Sequence, residues 1–478
     1  MRKIKTYQDL KTLKDNDASE KDIMQFIRSA ISEHQTSPMY YEAEDAYRYA
    51  TGHNTEAENR EKVYTDLMGV MRKNEYAPCH RIKTNLFKIL SVQRVSYLLG
   101  NGVTLGDEEK KNKLGKYFDN IVYDAGYAAT TKTVSYLYWN LNHVEYFDNL
   151  NFVPLYDESN AALRSGIRWW QVAPNKPLRA TLYEEDGYTE YAWGLDNKGN
   201  VAKDKDGIVF APKRSYKIAK VKAPNGETQI MDMGNYPGFP IVPMWANRDK
   251  ISPFACVRDT INAIDENINS VNDDLTEAQI YWMFQGADFM DDADLGNVLK
   301  RIRENHVVNV GYGQTAEPKT INIPVSERHA ELIRLKAQAY EDFQGFDIDT
   351  IKSGNVVNAQ IEAAYEPLNH AADEFEYCVL DCLNKLFELI PEMSDESITF
   401  TRSMMSNRSE TIQNAAAASS LTGADYAREK ILTAFGDGDR VNEINQQIAA
   451  DEADRMRAAF DMQMLQQQQK KENDKGVA

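Results

Sequence analysis

The chain has 478 residues, 42% of them hydrophobic, with a formal net charge of −18. That length allows roughly two to four domains, and no apolar run approaches the ~18–20 residues that span a bilayer. The acidity argues against a protein that grips nucleic acid by neutralising phosphates, which needs clustered Lys and Arg.

It does not argue against a surface past which a polyanion must slide, since an acidic wall repels phosphate. An acidic coat that keeps a large assembly soluble explains the charge equally well. The opening MRKIKTYQDLKTLKDND has a basic start but no apolar stretch behind it, so no secretory signal is expected. Cys79, Cys256, Cys378 and Cys382 are too few and scattered for a disulfide framework. The chain is expected inside a cell.

Residues 1–135 read as helices. In SEKDIMQFIRSAISEH, Ser19 caps a helix whose apolar face is Ile23, Phe26, Ile27 and Ile31. CHRIKTNLFKILSVQRVSYLLGNGVTL predicts a helix from Arg81 to Leu99, with Ile82, Leu86, Ile89, Leu90 and Val95 as its stripe. Gly100 is expected to close it in the left-handed conformation. From about 140 to 250, alternating polar and β-branched or aromatic residues, broken by DNKG, DKDG and PNGE, predict an antiparallel meander. DKDG lacks the later acidic ligands of a calcium loop.

Pro253 opens a different helix. Val257, Ile261, Ile264, Ile268, Val271 and Leu275 keep a seven-residue repeat, a seam one residue wide in an acidic and amide surface. Such a seam packs on neighbouring helices; an ordinary bundle helix with a solvated acidic face would read the same. A short helix, Leu295 to Glu304, and strands His306–Gly311 and Thr320–Val325 are expected next. Ser326 is expected to cap a second long helix ending at Gly345, followed by an irregular loop and a helix from Ala359 to Leu389 that Pro367 should kink or break. After 405 the chain reads as helix, turn, helix, with breaks at Gly436 and Gly438 and a disordered Gln/Lys-rich tip.

Reactive constellations are absent from the sequence. There is no G-x-x-x-x-G-K-[ST] phosphate loop, no H-E-x-x-H and no G-x-S-x-G. Cys378 and Cys382 share a helix face with His370 two turns earlier, a spacing that buried structural thiols explain better than zinc. No cofactor or metal is expected, and no catalytic residue. The chain reads as architecture.

Several stretches, in order, resemble the portal (head-to-tail connector) proteins of tailed bacteriophages, in particular those of long-tailed phages of Gram-positive hosts. RIKTNLFKILSVQRVSYLLGNGVTL is similar to that family's N-x-x-x-x-I-V…Y-L-L-G-x-P-V-T-L helix, with Gly102 where proline is frequent. GNYPGFPIVPMWANRDK resembles its strand before the first stem helix, and ACVRDTINAIDENINSVNDDL that helix itself. IKSGNVVNAQIEAAYEPLNHAADEFEYCVLDCL resembles the family's loop and long helix, although NVVNAQ replaces the usual alanine, leucine and lysine. ITFTRSMMSNRSETIQNAAAASS sits where the family has a strand and then crown helices. The resemblance covers about residues 40 to 455.

It implies an α+β, mainly helical portal fold: an N-terminal segment (1–26), a wing that is helical then antiparallel β (27–252), stem helix 1 (253–277) and a clip (278–325). Stem helix 2 (326–345), a tunnel loop (346–357), the wing's long helix and strand (358–404), and a crown with C-terminal tail (405–478) follow. It implies a homo-oligomeric ring, usually of twelve subunits, at one capsid vertex of the virion, assembled in the host cytoplasm and threaded by double-stranded DNA. The implied channel lining is Asp347, Asp349, Lys352 and Asn355 in the loop and Asp265, Asn269 and Asp273 on the stem. Tyr281, Trp282, Phe284, Tyr312 and Lys319 in the clip would meet the terminase large subunit and the head-completion (adaptor) protein, unless the aromatics are buried between clips. Major capsid and scaffolding proteins are further implied partners, and no membrane. The competing reading is a non-viral helical oligomeric scaffold protein. An enzyme site assembled from distant carboxylates has no motif in its favour.

Overall fold

The computed structural model describes residues 4–66, 68–75, 77–194, 207–222, 228–276, 280–285, 297–298, 300, 315–320, 323–351, 357–404, 408–436 and 438–475. It divides into a larger unit, Met1–Phe346 with Pro367–Ser403, and a smaller one, Asp347–Glu366 with Met404–Ala478.

In the larger unit, α1 (Tyr7–Asp15) and α2 (Glu20–Gln35) each open on a capping box, Thr6 with Asp9 and Ser19 with Asp22. Two orphan N–H groups are satisfied reciprocally at each start. Ser19 is the cap that the sequence predicts. Leu10, Phe26, Ile27 and Ile31 are buried against Val153, Leu155, Ile167, Leu182 and Trp193. Those five residues belong to an antiparallel sheet running Phe152–Tyr156, Leu163–Trp170, Leu178–Glu184, Gly187–Trp193, Gly207–Arg214, each strand beside the next. The predicted meander is there.

After α3 (Pro38–Ala50) and α4 (Thr55–Glu58) the all-helical expectation fails. Val63–Thr65 and Met71–Lys73 form a small exposed hairpin, and residues 77–85 have no helix. The following helix, α5, spans Leu86–Leu99 rather than starting at Arg81, and Ile82 and Ile89 of the expected stripe are exposed. Gly100 is right-handed; the left-handed residue is Gly102, at φ +77°. A Cβ there would lie 2.8 Å from Asp119 Cγ, whose carboxylate accepts from the Val103 N–H. The sequence shows two glycines in the turn but not which one bends backward.

Past α6 (Glu108–Lys113), α7 (Phe118–Lys132) covers a sheet of Ile241–Trp245, Val134–Trp139 and Val144–Asp148. Every residue of Val134–Trp139 is buried. The core between these elements takes Val95, Leu98 and Leu99 from α5, and Phe375, Val379, Leu383 and Leu386 from a later helix. Each such side chain stabilises the fold by roughly 1.5–3 kcal/mol through removal from water.

α8 (Arg258–Thr276) follows a short 3-10 turn at Pro253–Cys256. Strand Ile280–Gln285 then pairs with Thr315–Thr320. Of the expected strand Thr320–Val325, residues 321 and 322 lie outside the described residues, and Val325 is already helical. The expected helix Leu295–Glu304 lies almost wholly outside the described residues, and the strand His306–Gly311 wholly so. α9 (Val325–Phe343) begins one residue before Ser326, which therefore does not cap it. Its end is a Schellman closure: the N–H groups of Gln344 and Gly345 donate to the carbonyls of Glu341 and Tyr340. The left-handed position belongs to Gln344, φ +57°, not to the glycine. Gly345 is required by crowding instead, since a Cβ would come within 2.8 Å of Leu90 Cδ2.

α10 (Asn358–Glu388) is helical straight through Pro367, which is also where the chain passes from the smaller unit to the larger. Strand Ile398–Phe400 then pairs with Val103–Leu105. In the smaller unit, α11 (Arg408–Thr422) and α12 (Ala424–Phe435) form a helical hairpin, and Gly436, left-handed, ends α12 as the sequence suggests. α13 (Val441–Lys475) overturns the expected disordered tip. Its Gln, Lys, Glu and Met are good helix formers, and no Gly or Pro interrupts them.

Gln344→Gly removes the cost of a left-handed L-residue at an exposed position and should raise stability by about 0.5–1 kcal/mol. Chemical denaturation of the two proteins checks this.

Candidate functional site

α8 carries two stripes. Val257, just before it, and Ile261 and Ile264 are buried with Tyr49, Phe87, Leu90, Phe254, Ala339 and Phe343, so α8 packs on α3, α5 and α9. The seven-residue seam is thus a packing seam, but only over its first half: Val271 is half-buried and Leu275 is 57% exposed. Arg328 on α9 pairs with Asp274 at 2.9 Å.

The second stripe is polar and faces inward. Asp265, Asn269 and Asp273 are 2%, 0% and 1% exposed. The expectation that these three line an open channel is therefore wrong for the subunit as it folds; they bind the extended strap that precedes α5. Asp265 accepts from the Thr84 N–H at 2.9 Å and from the Asn54 amide at 2.5 Å. Asn269 accepts from the Ile82 N–H at 2.7 Å and donates to the Ile82 carbonyl at 2.9 Å. Asp273 accepts from the His80 N–H and from His80 Nδ1, both at 2.8 Å.

Two elementary repeats explain this ladder. Two residues of extended chain advance about 6.6 Å, and four residues of helix about 6.0 Å. Residues 80, 82 and 84 therefore meet 273, 269 and 265 in turn, antiparallel, one side chain for every second backbone unit. The N–H groups of His80, Ile82 and Thr84 and the Ile82 carbonyl, which would otherwise need a helix or a sheet, find their partners on α8, while Arg60 and Asn54 donate to the His80 and Thr84 carbonyls. That is why the helix expected from Arg81 does not start until Leu86.

Arginine and lysine complete the lower end. Arg60 donates to Asp273 at 2.5 Å and grips Glu266 through two nitrogens, at 2.6 and 2.9 Å. Lys62 lies 3.2 Å from Asp273. Burial by itself would raise the Asp273 carboxyl, but the His80 N–H, Arg60, the His80 ring and Lys62 together hold it down at about 2. Asp265 goes the other way: burial raises it, and Asn54 and Thr84 offset only part. One helix face thus holds two carboxylates with opposite perturbations: Asp273 is bonded directly by Arg60 and Lys62, whereas Asp265 feels Lys83 only at longer range and burial dominates.

The loop after α9 is fixed at its root. The Gln93 side chain donates to the Phe346 carbonyl at 2.7 Å and accepts from the Phe346 N–H at 2.9 Å. Asp347 and Asp349 follow in the smaller unit, where the Asp349 N–H donates to the Asp347 carboxylate at 3.0 Å and Asp349 is exposed. Lys352 and Asn355 lie outside the described residues, as does Tyr312. Tyr281, Trp282 and Phe284 occupy the strand Ile280–Gln285, with Tyr281 opposite Lys319, Trp282 opposite Pro318 and Phe284 opposite Ala316.

No group of three or more His, Cys, Asp or Glu among the described residues is placed to hold a metal. Cys382 is buried and Cys378 half-buried, and burial pushes the Cys378 thiol up to about 11. Among the described residues no helix is long and apolar enough to cross a membrane.

Residues 29–456 match the family of phage portal proteins described as SPP1 Gp6-like. No curated protein matches the chain. Similar solved structures include a chain in the neck of an empty gene transfer agent particle computed with C6 symmetry, at 10% identity and TM-score 0.38, covering 71% of this chain and 87% of that one. A chain in the neck of a native gene transfer agent particle computed with C12 symmetry has 12% identity and TM-score 0.36, over 73% and 89% of the two chains. A chain in the virion of a native gene transfer agent particle has 9% identity and TM-score 0.32, over 70% and 84%.

Asp273→Asn should cost about 2 kcal/mol at neutral pH, the linkage value of a carboxyl moved from near 3.8 to near 2. The sign follows from the depressed native value. The contribution is full above about pH 4 and is lost as the pH falls toward 2, so the gap between wild type and variant should close over that window. Denaturation midpoints of both proteins at stepped pH check it.

Proposed function

The chain belongs to the SPP1 Gp6-like family of phage portal proteins, and from that premise we propose how its parts serve a portal at one vertex of a capsid. The observation that carries the reading is the family match, which spans residues 29–456 and so takes in every described element from α3 to α12.

Identical copies close into a ring, about twelve by the resemblance, with double-stranded DNA passing through the bore. Residues 27–252 and 358–404 are the wing, 253–277 and 326–345 the stem, 278–325 the clip and 405–478 the crown. The paired helices α8 and α9 suit a stem because one is bound along its length by the strap and the other is packed on it. The chain acts mechanically and has no catalytic step. This agrees with a stem whose buried polar groups are spent on holding the backbone rather than presented to a ligand.

The DNA-facing residues are those of the loop, Asp347, Asp349, Lys352 and Asn355. Carboxylates beside a single lysine give brief phosphate contacts without the many-lysine grip that would stall a moving duplex. The paired strands Ile280–Gln285 and Thr315–Thr320, with Tyr281, Trp282, Phe284 and Lys319, and together with Tyr312, are the docking surface for terminase and then for the head-completion protein. Major capsid and scaffolding proteins are the partners around the wing.

Purified protein should form rings with a central hole in negative-stain images, and its native mass should be a high multiple of 54.5 kDa. A chain that stays monomeric at every concentration overturns the reading. Lys352→Ala should leave rings intact while lowering the yield of DNA-filled heads. An ordinary yield removes that residue from the mechanism.

A further inference from the structure

The chain leaves the larger unit at three places: after Phe346, before Pro367 and after Ser403. A single turn of α5 holds all three. Gln93 makes the two-pronged contact with the Phe346 backbone. Arg94, 8% exposed, donates to the Phe343 carbonyl at 2.5 Å and lies over the Phe343 ring at 4.2 Å. Tyr97 donates its hydroxyl to Asn369 at 2.5 Å, and its carbonyl accepts from the Ser403 N–H at 3.1 Å. Arg402 reinforces the last pair, reaching Asn369 at 3.4 Å, Glu376 at 2.8 Å and Asp373.

Residues 93, 94 and 97 are neighbours on one side of a helix. The same helix is anchored in the core through Leu90, Val95, Leu98 and Leu99, each at most 2% exposed. The bonds are also of the kind that fixes direction as well as position. An amide that both donates to and accepts from one backbone unit resists rotation about either bond alone. The Arg94 guanidinium spans the ring and the carbonyl of the same residue.

We infer that this turn of α5 is a mount: Gln93, Arg94 and Tyr97 fix where the loop and the C-terminal helices leave the larger unit, and carry into its core any load those segments take. They are positioning residues and touch no DNA. The inference rests on the portal reading for the load, but not for the mount itself, and the two can be separated.

Hydrogen exchange on the full-length chain tests the mount. Gln93→Leu should speed exchange at Phe346 and its neighbours at least ten-fold, and Tyr97→Phe should do the same around Asn369. Gln93→Glu keeps the acceptor for the Phe346 N–H and loses the donor, so it should fall between. Ser96→Ala is the control: it removes a contact of the same helix, Ser96 Oγ to Tyr123 at 2.9 Å, that reaches none of the three crossings. It should leave exchange at all three unchanged. In assembled heads, Gln93→Leu rings should form and the yield of DNA-filled heads should fall several-fold, while Ser96→Ala should fill normally. Wild-type exchange at Phe346 in Gln93→Leu overturns the inference, and so does normal filling despite loosened exchange. A wild-type chain that never forms rings overturns the portal reading instead and leaves the exchange comparison to decide the mount.

Discussion

The fold depends on a coincidence of lengths. An extended strap and an α-helix lie side by side, and two residues of one advance nearly as far as four of the other. Asp265, Asn269 and Asp273 turn that match into a ladder on the backbone of residues 84, 82 and 80. Without it the strap would leave several N–H and carbonyl groups without partners beside a buried helix face, each costing roughly 1–3 kcal/mol. With it, α8 acquires a fixed roll about its own axis. Its apolar stripe must then face α3, α5 and α9, and the core among Tyr49, Phe87, Phe254, Ile264 and Phe343 is built on that orientation.

Charge is used sparingly in this arrangement. The three carboxylates near the strap meet different fates. Glu266 and Asp273 are bound by Arg60, and Asp273 also by Lys62 and the His80 ring. Asp265 has only neutral donors at hydrogen-bond distance and is correspondingly harder to ionise. A cation bonded to a buried carboxylate keeps it ionised; neutral donors alone offset only part of the cost of burying its charge. The acidic residues of α8 are therefore divided, with Asp259 and Glu266 exposed and Asp265 and Asp273 buried. Part of their charge is neutralised inside the subunit, out of contact with anything that passes outside.

Much of this was legible in the chain. The Ser19 cap, the alternating strands between 140 and 250, the first half of the seven-residue seam and the glycine break at Gly436 are local signals, and each appears where its spacing puts it. What the sequence conceals is partnership at a distance. Asp265, Asn269 and Asp273 look like a solvated face because nothing nearby in the sequence says that Thr84, Ile82 and His80 will cover them. The four-residue spacing of Asp265, Asn269 and Asp273 was visible, but it becomes a signal only when set against the backbone of residues 80, 82 and 84. The same holds for Gln93, Arg94 and Tyr97, whose partners are some 250 to 310 residues later in the chain. Gln344 shows a different limit: the glycine beside it draws the eye as the helix stop, while crowding by Leu90, not backbone freedom, is what Gly345 answers.

A helix stapled to a strap at residues 80, 82 and 84 cannot roll without breaking every rung at once. Nor can the strap slip by one residue, since that would turn Arg81 and Lys83 toward the helix in place of its matched partners. Whatever opening such helices frame is accordingly set at the moment each subunit folds, like the bore of a machined bushing. Any narrowing or widening has to come from segments outside the staple.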